Sequence, residues 1–163
     1  MARFSTPYIK FWKEFGKSIK MGVIEDAPNR SKLAKLLRFK TNKSNGDFVS
    51  LEEYVENMAE WQKDIYFIAG ESVKAVKKSP FLEVAQKKGV EVLFLSDPID
   101  EYVFQHLNEF EGHRLQSLTK EGLKFGDEDE DQIKKRLKQY KENFKPLTKF
   151  MKDLFSTKVR GLL

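Results

Sequence analysis

The sequence predicts an α/β fold: a helical subdomain, then a small three-layer α/β unit with a short, mainly parallel sheet, then a long helical extension. Three observations carry that prediction. In residues 9–24, Phe11, Trp12, Phe15, Ile19 and Val23 recur at helical spacing and form one apolar stripe. Ile65–Ala69 and residues 90–95 are continuous apolar runs separated by a stretch of helical period. That is the pattern of a strand–helix–strand unit with a parallel pair. From Gln132 onward, Ile133, Leu137, Tyr140 and Phe144 fall on a further helical stripe.

The elements follow in chain order. Glu25-Asp26-Ala27-Pro28-Asn29 breaks the first helix. Asn29 is placed to cap a second one over residues 30–39, with Leu33, Leu36 and Leu37 inward. Thr41-Asn42-Lys43-Ser44-Asn45-Gly46 reads as a polar loop with a mobile tip. Ser50 and Glu53 form a capping box that opens a short helix through Met58. Residues 71–87 have helical period, broken near Ser79-Pro80. Proline suits the first turn of a helix, so Ser79 is expected to cap a restart. After Asp97-Pro98, residues 99–107 read as helix and 114–118 as a weaker strand. Apolar runs without alternation imply strands covered on both faces.

Gly126-Asp127-Glu128-Asp129-Glu130-Asp131 is an acidic joint, and Asp129 or Asp131 suits the start of a helix through its dipole. Pro146 is expected to interrupt that helix, with Leu147, Phe150, Met151, Leu154 and Phe155 on a second stretch. The last residues, Val159-Arg160-Gly161-Leu162-Leu163, have no cap or polar tail, as a severed piece of a following domain would. The expected organisation is therefore residues 1–126 (1–58 helical, 59–126 α/β), then residues 127–163.

Composition excludes several classes. The chain has 163 residues, and no run approaches the roughly 18 apolar residues of a membrane-spanning helix. Fourteen Phe, five Tyr and two Trp are too many for a disordered chain. There is no cysteine, which removes disulfides, zinc–thiolate sites and thiol nucleophiles together. No apolar segment follows Met1-Ala2-Arg3-Phe4-Ser5, so no secretory signal is visible. The net charge of +5 is uneven. Residues 1–49 carry eleven basic and four acidic side chains, residues 50–126 nine and fourteen, and residues 127–163 ten and seven. The basic residues are interleaved with acidic and apolar ones, which reads as solvated helix faces. The alternative is a basic nucleic-acid-binding module using the amino-terminal third, whose binding would weaken steeply with salt. It lacks the aromatic RNA-recognition motifs and any cysteine–histidine finger.

The sequence holds no catalytic constellation. His106 and His113, the only histidines, have no further ligand partners, so no metal site is expected. The carboxylate pairs Glu52/Glu53, Asp100/Glu101 and Asp129/Asp131 read as solvated faces. Phosphate-loop, dinucleotide and nucleophile-elbow signatures are absent. Gly70-Glu71-Ser72 follows a strand and opens a helix, where amides can hold an anion, but one glycine beside a glutamate reads as a plain tight turn. Residues 96–101 sit at the carboxyl end of a strand, the usual ligand edge of an open sheet, yet read better as helix capping. Phe11, Trp12 and Phe15 cannot share one narrow stripe, so one is expected at the edge of the packed face. They are the candidate partner-binding residues, with core packing as the default. Trp61, in a polar stretch before the first strand, is the next candidate; the competing reading is an aromatic lid on the sheet edge.

Several long motifs resemble the ninety-kilodalton heat-shock chaperone family. They include Gly22-Val23-Ile24-Glu25-Asp26, Asn29-Arg30, Leu33-Ala34-Lys35-Leu36-Leu37-Arg38-Phe39 and Ser50-Leu51-Glu52-Glu53-Tyr54-Val55. Ile65-Tyr66-Phe67-Ile68-Ala69-Gly70-Glu71-Ser72, Lys78-Ser79-Pro80-Phe81 and the run from Glu91 to Tyr102 continue it. Order and spacing match from about Phe11 to Leu154, while the first ten residues match nothing. Phe11 to Gly16, Gly22 to Asp26 and Lys120 to Phe125 resemble the endoplasmic-reticulum branch more than the cytosolic one. The resemblance implies the carboxyl-terminal part of the middle domain and the first helices of the dimerisation domain. It implies client proteins and co-chaperones as partners and a homodimeric parent that uses ATP and Mg in a domain absent here. No catalytic or cofactor-binding residue carries over. The core of the dimer interface would follow Leu163, so this chain is expected to be a monomer or to self-associate weakly through its last helix. The implied compartment is the reticulum lumen, with the cytoplasm as the alternative.

Overall fold

The computed structural model of the chain describes residues 6–120, 123, 125 and 130–156. Two compact units divide it, Met1–Gly126 and Asp127–Leu163. The first contains helices α1 (Thr6–Glu25), α2 (Arg30–Ala34), α3 (Leu51–Glu56), α4 (Val73–Val76), α5 (Pro80–Lys87) and α6 (Pro98–His106). Its strands are β1 (Lys40–Thr41), β2 (Ile65–Ala69), β3 (Leu93–Leu95), β4 (Glu109–Phe110) and β5 (His113–Ser117). The second contains α7 (Glu130–Ser156).

The five strands form one sheet in the order β1-β3-β2-β5-β4. The inner pairs, β2–β3 and β2–β5, are parallel, with Phe67 opposite Leu93 and Ile65 opposite Leu115. The outer pairs are antiparallel. Successive strand residues face opposite sides, so β2 and β3 feed two cores. Ile65, Leu93 and Leu95 join Trp12, Val23, Ala34, Leu51, Tyr54 and Val103 under α1, α2, α3 and α6. Tyr66, Ile68 and Phe94 join Val76, Leu82 and Ala85 of α4 and α5. The unit is thus three layers deep, which is why these strands read as unbroken apolar runs.

Local chemistry sets the boundaries. Ser50 Oγ accepts from Glu53 N–H (3.0 Å) and a Glu53 carboxylate oxygen accepts from Ser50 N–H (3.2 Å), the capping box expected for α3. Asp97 and Asp100 form a second such box at α6. Arg30 closes the end of α1 by donating to Val23 O (2.7 Å) and Ile24 O (3.1 Å), carbonyls that the helix leaves unpaired. Ser79 stands before α5 with Pro80 in the first turn, without a side-chain cap bond.

Five expectations are corrected. The second helix stops at Ala34 rather than continuing to Phe39, and Lys40–Thr41 crosses to pair with β3. Asn29 makes no cap bond; Asp26 accepts from Asn29 N–H instead (3.2 Å). The polar loop after Thr41 is pinned: Asn42 donates to Val90 O (3.1 Å) and accepts from Val92 N–H (2.8 Å). Those bonds also cut the expected strand at 90–95 down to Leu93–Leu95. Helix α7 runs through Pro146 without a break. Proline deletes one helical hydrogen bond, but α7 is exposed around Pro146, so water can reach the freed carbonyl. Thr148 Oγ1 also donates to Phe144 O in the same turn (2.9 Å). The other departure is an addition, the β4–β5 hairpin, whose Glu111-Gly112 turn has φ of 49° and 84°, the positive pair that a two-residue hairpin of this kind requires.

Candidate functional site

Helix α1 presents three faces, each with its own chemistry. The inner face carries Trp12, buried at 5% exposure, together with Val23. The outer face carries an aromatic ladder: Tyr8 against Phe11 (ring centroids 5.8 Å apart), and Phe11 stacked on Phe15 (5.1 Å, 27° between planes). Phe11 is 44% and Phe15 53% exposed. A third flank carries Lys13 and Lys17, one turn apart and exposed.

The ladder is held at its base. Tyr8 donates to Leu36 O (2.7 Å), and the Arg38 guanidinium lies 4.4 Å over its ring. Burial pushes the Tyr8 hydroxyl above its ordinary pKa of 10.0, against the pull of Arg38. Arg38 is itself buried and donates to Lys35 O and Leu37 O (2.8 and 2.7 Å). The stacked rings therefore stand on a fixed base, and a rigid apolar edge is suited to contact with another chain.

Deeper in, α1 is tied to α6. Buried Lys20 meets the Asp100 carboxylate at 2.6 Å and Asp97 at 3.4 Å, 5.7 Å from the Trp12 ring centre. Burial raises the Asp100 pKa above its ordinary 3.8, and Lys20 opposes that shift. These residues border a cleft of about 340 Å³ at the carboxyl end of β3. The pair of acids at residues 96–101 thus serves helix capping and an interhelix ion cluster.

The candidate residues separate. Phe11 and Phe15 share the ladder, Trp12 lies beneath them in the core, and Trp61 is half-buried against the second core on the far side of the sheet. Gly70 is packed against α4. A Cβ there would meet Val76 Cγ2 at 2.8 Å, so the glycine serves close packing of α4. Ser72 caps α4 through Ala75 N–H. His106 and His113 each bond a backbone carbonyl, of Tyr102 and Lys63 respectively, rather than each other. The described residues hold no group of three potential metal ligands, and the Gly70 and Asp97 turns are already committed to packing and capping. Sequence reasoning missed the Lys20–Asp100 pair. Its one sequence signal is a lysine eight residues beyond Trp12 on the apolar side of a helix.

Comparison with known proteins decides the lineage. The family model described as Hsp90 protein matches residues 1–162, so the first ten residues, expected to match nothing, fall within it. The chain belongs to the Hsp90 family. Among curated Hsp90 relatives it is 52% identical to an endoplasmin homolog of Arabidopsis thaliana over 145 residues, 89% of this chain and 17% of that protein. It is 49% identical to the endoplasmin homologs of Hordeum vulgare and Catharanthus roseus, over 92% of this chain and 18% of each. The chain thus spans less than a fifth of the length of these relatives. Its fold is similar to the middle domain of a Plasmodium falciparum heat-shock protein, at TM-score 0.66 and 38% identity, covering 69% of this chain and 47% of that one. Among the described residues, no helix is long and apolar enough to cross a membrane.

Proposed function

We propose that this Hsp90-family chain is a scaffold and lever of a larger ATP-dependent chaperone, with a docking surface for clients and co-chaperones and no catalytic site of its own. Residues 1–126 correspond to the carboxyl-terminal part of the middle domain. Residues 127–163 correspond to the linker and first helices of a dimerisation domain. ATP and Mg act in a domain outside this chain, in a homodimeric parent. Closure there moves this block as a rigid body, because a packed three-layer core transmits displacement rather than absorbing it. The similarity to endoplasmin homologs supports the endoplasmic-reticulum lumen as the compartment.

The observation that carries the reading is the aromatic ladder of α1: Phe11 and Phe15 stacked and about half exposed over an anchored Tyr8. Large apolar rings left outside a core favour a protein contact. Trp12 supports the ladder from below, and Trp61 forms a second, separate edge. An NMR titration of the labelled chain tests this. One arm adds reduced, carboxymethylated α-lactalbumin as a partly folded client, the other Mg-ATP. Shifts with client alone, centred on Phe11 and Phe15 and lost in F11S/F15S, are expected. Shifts with Mg-ATP around Gly70 and Asp97 would overturn the absence of a nucleotide site, and silence with client would remove the docking role.

A further inference from the structure

The third flank of α1 carries a feature that the aromatic ladder does not use. The cleft of about 340 Å³ at the end of β3 and a neighbouring one of about 610 Å³ share Lys13, Lys40 and Phe48. They form one trough, running from Ser96 and Asp97 to Asn57 beyond α3. Its floor near α1 is apolar: Trp12, Phe48 and Phe94. We propose that this trough takes an extended acidic peptide segment of a partner protein, with an apolar side chain on the aromatic floor and its carboxylates on Lys13, Lys17 and Lys40.

Charge is the first argument. Lys20, inside the trough, is taken up by two carboxylates, Asp97 and Asp100, so that corner offers no free cation and the peptide's acids lie away from it. Lys13, Lys17 and Lys40 border the same space, and among the described residues none of them forms an ion pair. Lys40 lies 5.6 Å over the Phe48 ring, which holds its ammonium at the waist of the trough. Lys13 and Lys17 are one turn apart, so they present two ammonium groups side by side to a chain lying along the helix.

The build of the floor is the second argument. Gly16 sits in mid-helix, where glycine costs about 1 kcal/mol relative to alanine. A Cβ there would meet the Trp12 ring at 3.1–3.3 Å. The glycine lets the indole lie flat against the helix backbone, and both residues line the trough.

The far end chooses between occupants. Asp47 and Glu53 line it, Glu53 being fixed by the Ser50 capping box. A nucleic-acid strand, charged at every phosphate, would run over those carboxylates. A peptide can place acids at the lysine end and neutral residues at the other. The site is separate from the ladder, since Lys13 and Lys17 lie about 200° around the helix from Phe11 and Phe15.

Fluorescence anisotropy on the 163-residue chain tests the proposal. The probe is a labelled, acetylated octapeptide in which Asp and Glu residues flank a central Phe-Leu pair. Binding is expected to weaken about tenfold or more with the Asn/Gln version of the peptide, and likewise with K13E/K17E. F11S/F15S should bind the probe as the unaltered chain does. Both lysines are exposed, so an unchanged melting temperature will confirm that K13E/K17E folds. Equal binding of the neutral peptide, an unaffected K13E/K17E, or no binding would each overturn the proposal. Tighter binding of a labelled oligothymidylate would assign the trough to nucleic acid instead.

Discussion

A lysine and an aspartate buried between two helices make a sharp test of what joins α1 to α6. Lys20→Met leaves the Asp100 carboxylate in the core without its cation, which costs about 3–5 kcal/mol when the acid is charged. The direction of the pH effect follows from Asp100, whose folded pKa lies above its ordinary 3.8 because of burial. A folded pKa raised in this way gives stability that is complete below the unfolded value and lost as pH rises through the folded one. Removing Lys20 removes the influence that lowers it, so the loss extends to higher pH. Urea unfolding should therefore show a small deficit for K20M near about pH 4 and a larger one near neutrality. Asp100→Asn in the same background should recover most of it; equal deficits at both pH values would exclude this account. A second residue-scale test lies at Gly70. A Cβ there would sit 2.8 Å from Val76 Cγ2, and Val76 is buried and stiff about χ1. Gly70→Ala should cost about 1–3 kcal/mol, and Val76→Ala should relieve it, giving a double-mutant cycle that is clearly non-additive.

At the scale of elements, Tyr54 is the joint between α3 and the sheet. Its hydroxyl donates to Glu91 O and accepts from Tyr66 N–H and Gln62 Nε2, both at 3.0 Å. Tyr54→Phe leaves buried polar groups unpaired and should lower stability by about 1–3 kcal/mol. Burial holds the Tyr54 pKa above its ordinary 10.0, against the hydrogen bonds from Tyr66 and Gln62. The unaltered chain should therefore lose stability more steeply above about pH 10 than Y54F does, because only its unfolded state ionises this group there; parallel slopes would refute the assignment. Elements of this sheet differ in how plainly the sequence announces them, and the reason is packing. β2 was legible to the residue, since a strand covered on both faces must be apolar throughout. The existence of α1 was legible too, though read over residues 9–24 and found over Thr6–Glu25, as was the Ser50/Glu53 capping box, whose signal is local. β1 and β4 are two residues each. They exist because a neighbouring strand edge pairs with them, and no local pattern of that length can show it. The expected second helix failed for the same reason, as the competing partner of Phe39 is Val49, across a loop. At the candidate site, the aromatic character of Phe11, Trp12 and Phe15 was readable, but which ring is buried depended on where Gly16 and Lys20 let α1 pack.

The whole molecule is a packed block and a helix of different thermodynamic character. Within residues 138–152 every side chain of α7 is exposed. An isolated helix is marginal in water because nucleation is costly and tertiary packing supplies most helical stability in proteins. Pro146 adds a further penalty. Yet α7 carries Tyr140, Phe144, Leu147 and Met151 at alternating spacings of four and three, and Phe144 and Phe150 are 53% and 61% exposed. That spacing is the seam of a helix that packs along a second helix. In this chain alone, another copy of α7 can supply that second helix, so weak self-association is the expected behaviour. Helix content and association are then coupled: the apolar stripe is buried only in the paired form, and the helix gains its missing packing there. Circular dichroism at 222 nm should show ellipticity per residue growing more negative from micromolar to several hundred micromolar chain. Light scattering should show apparent mass rising over the same range. Phe144→Glu with Leu147→Glu puts charges on the stripe and should abolish both trends, while leaving the unfolding of the packed block unchanged. A constant ellipticity with monomer mass throughout would mean that α7 keeps its helix without a partner, and the association would be rejected.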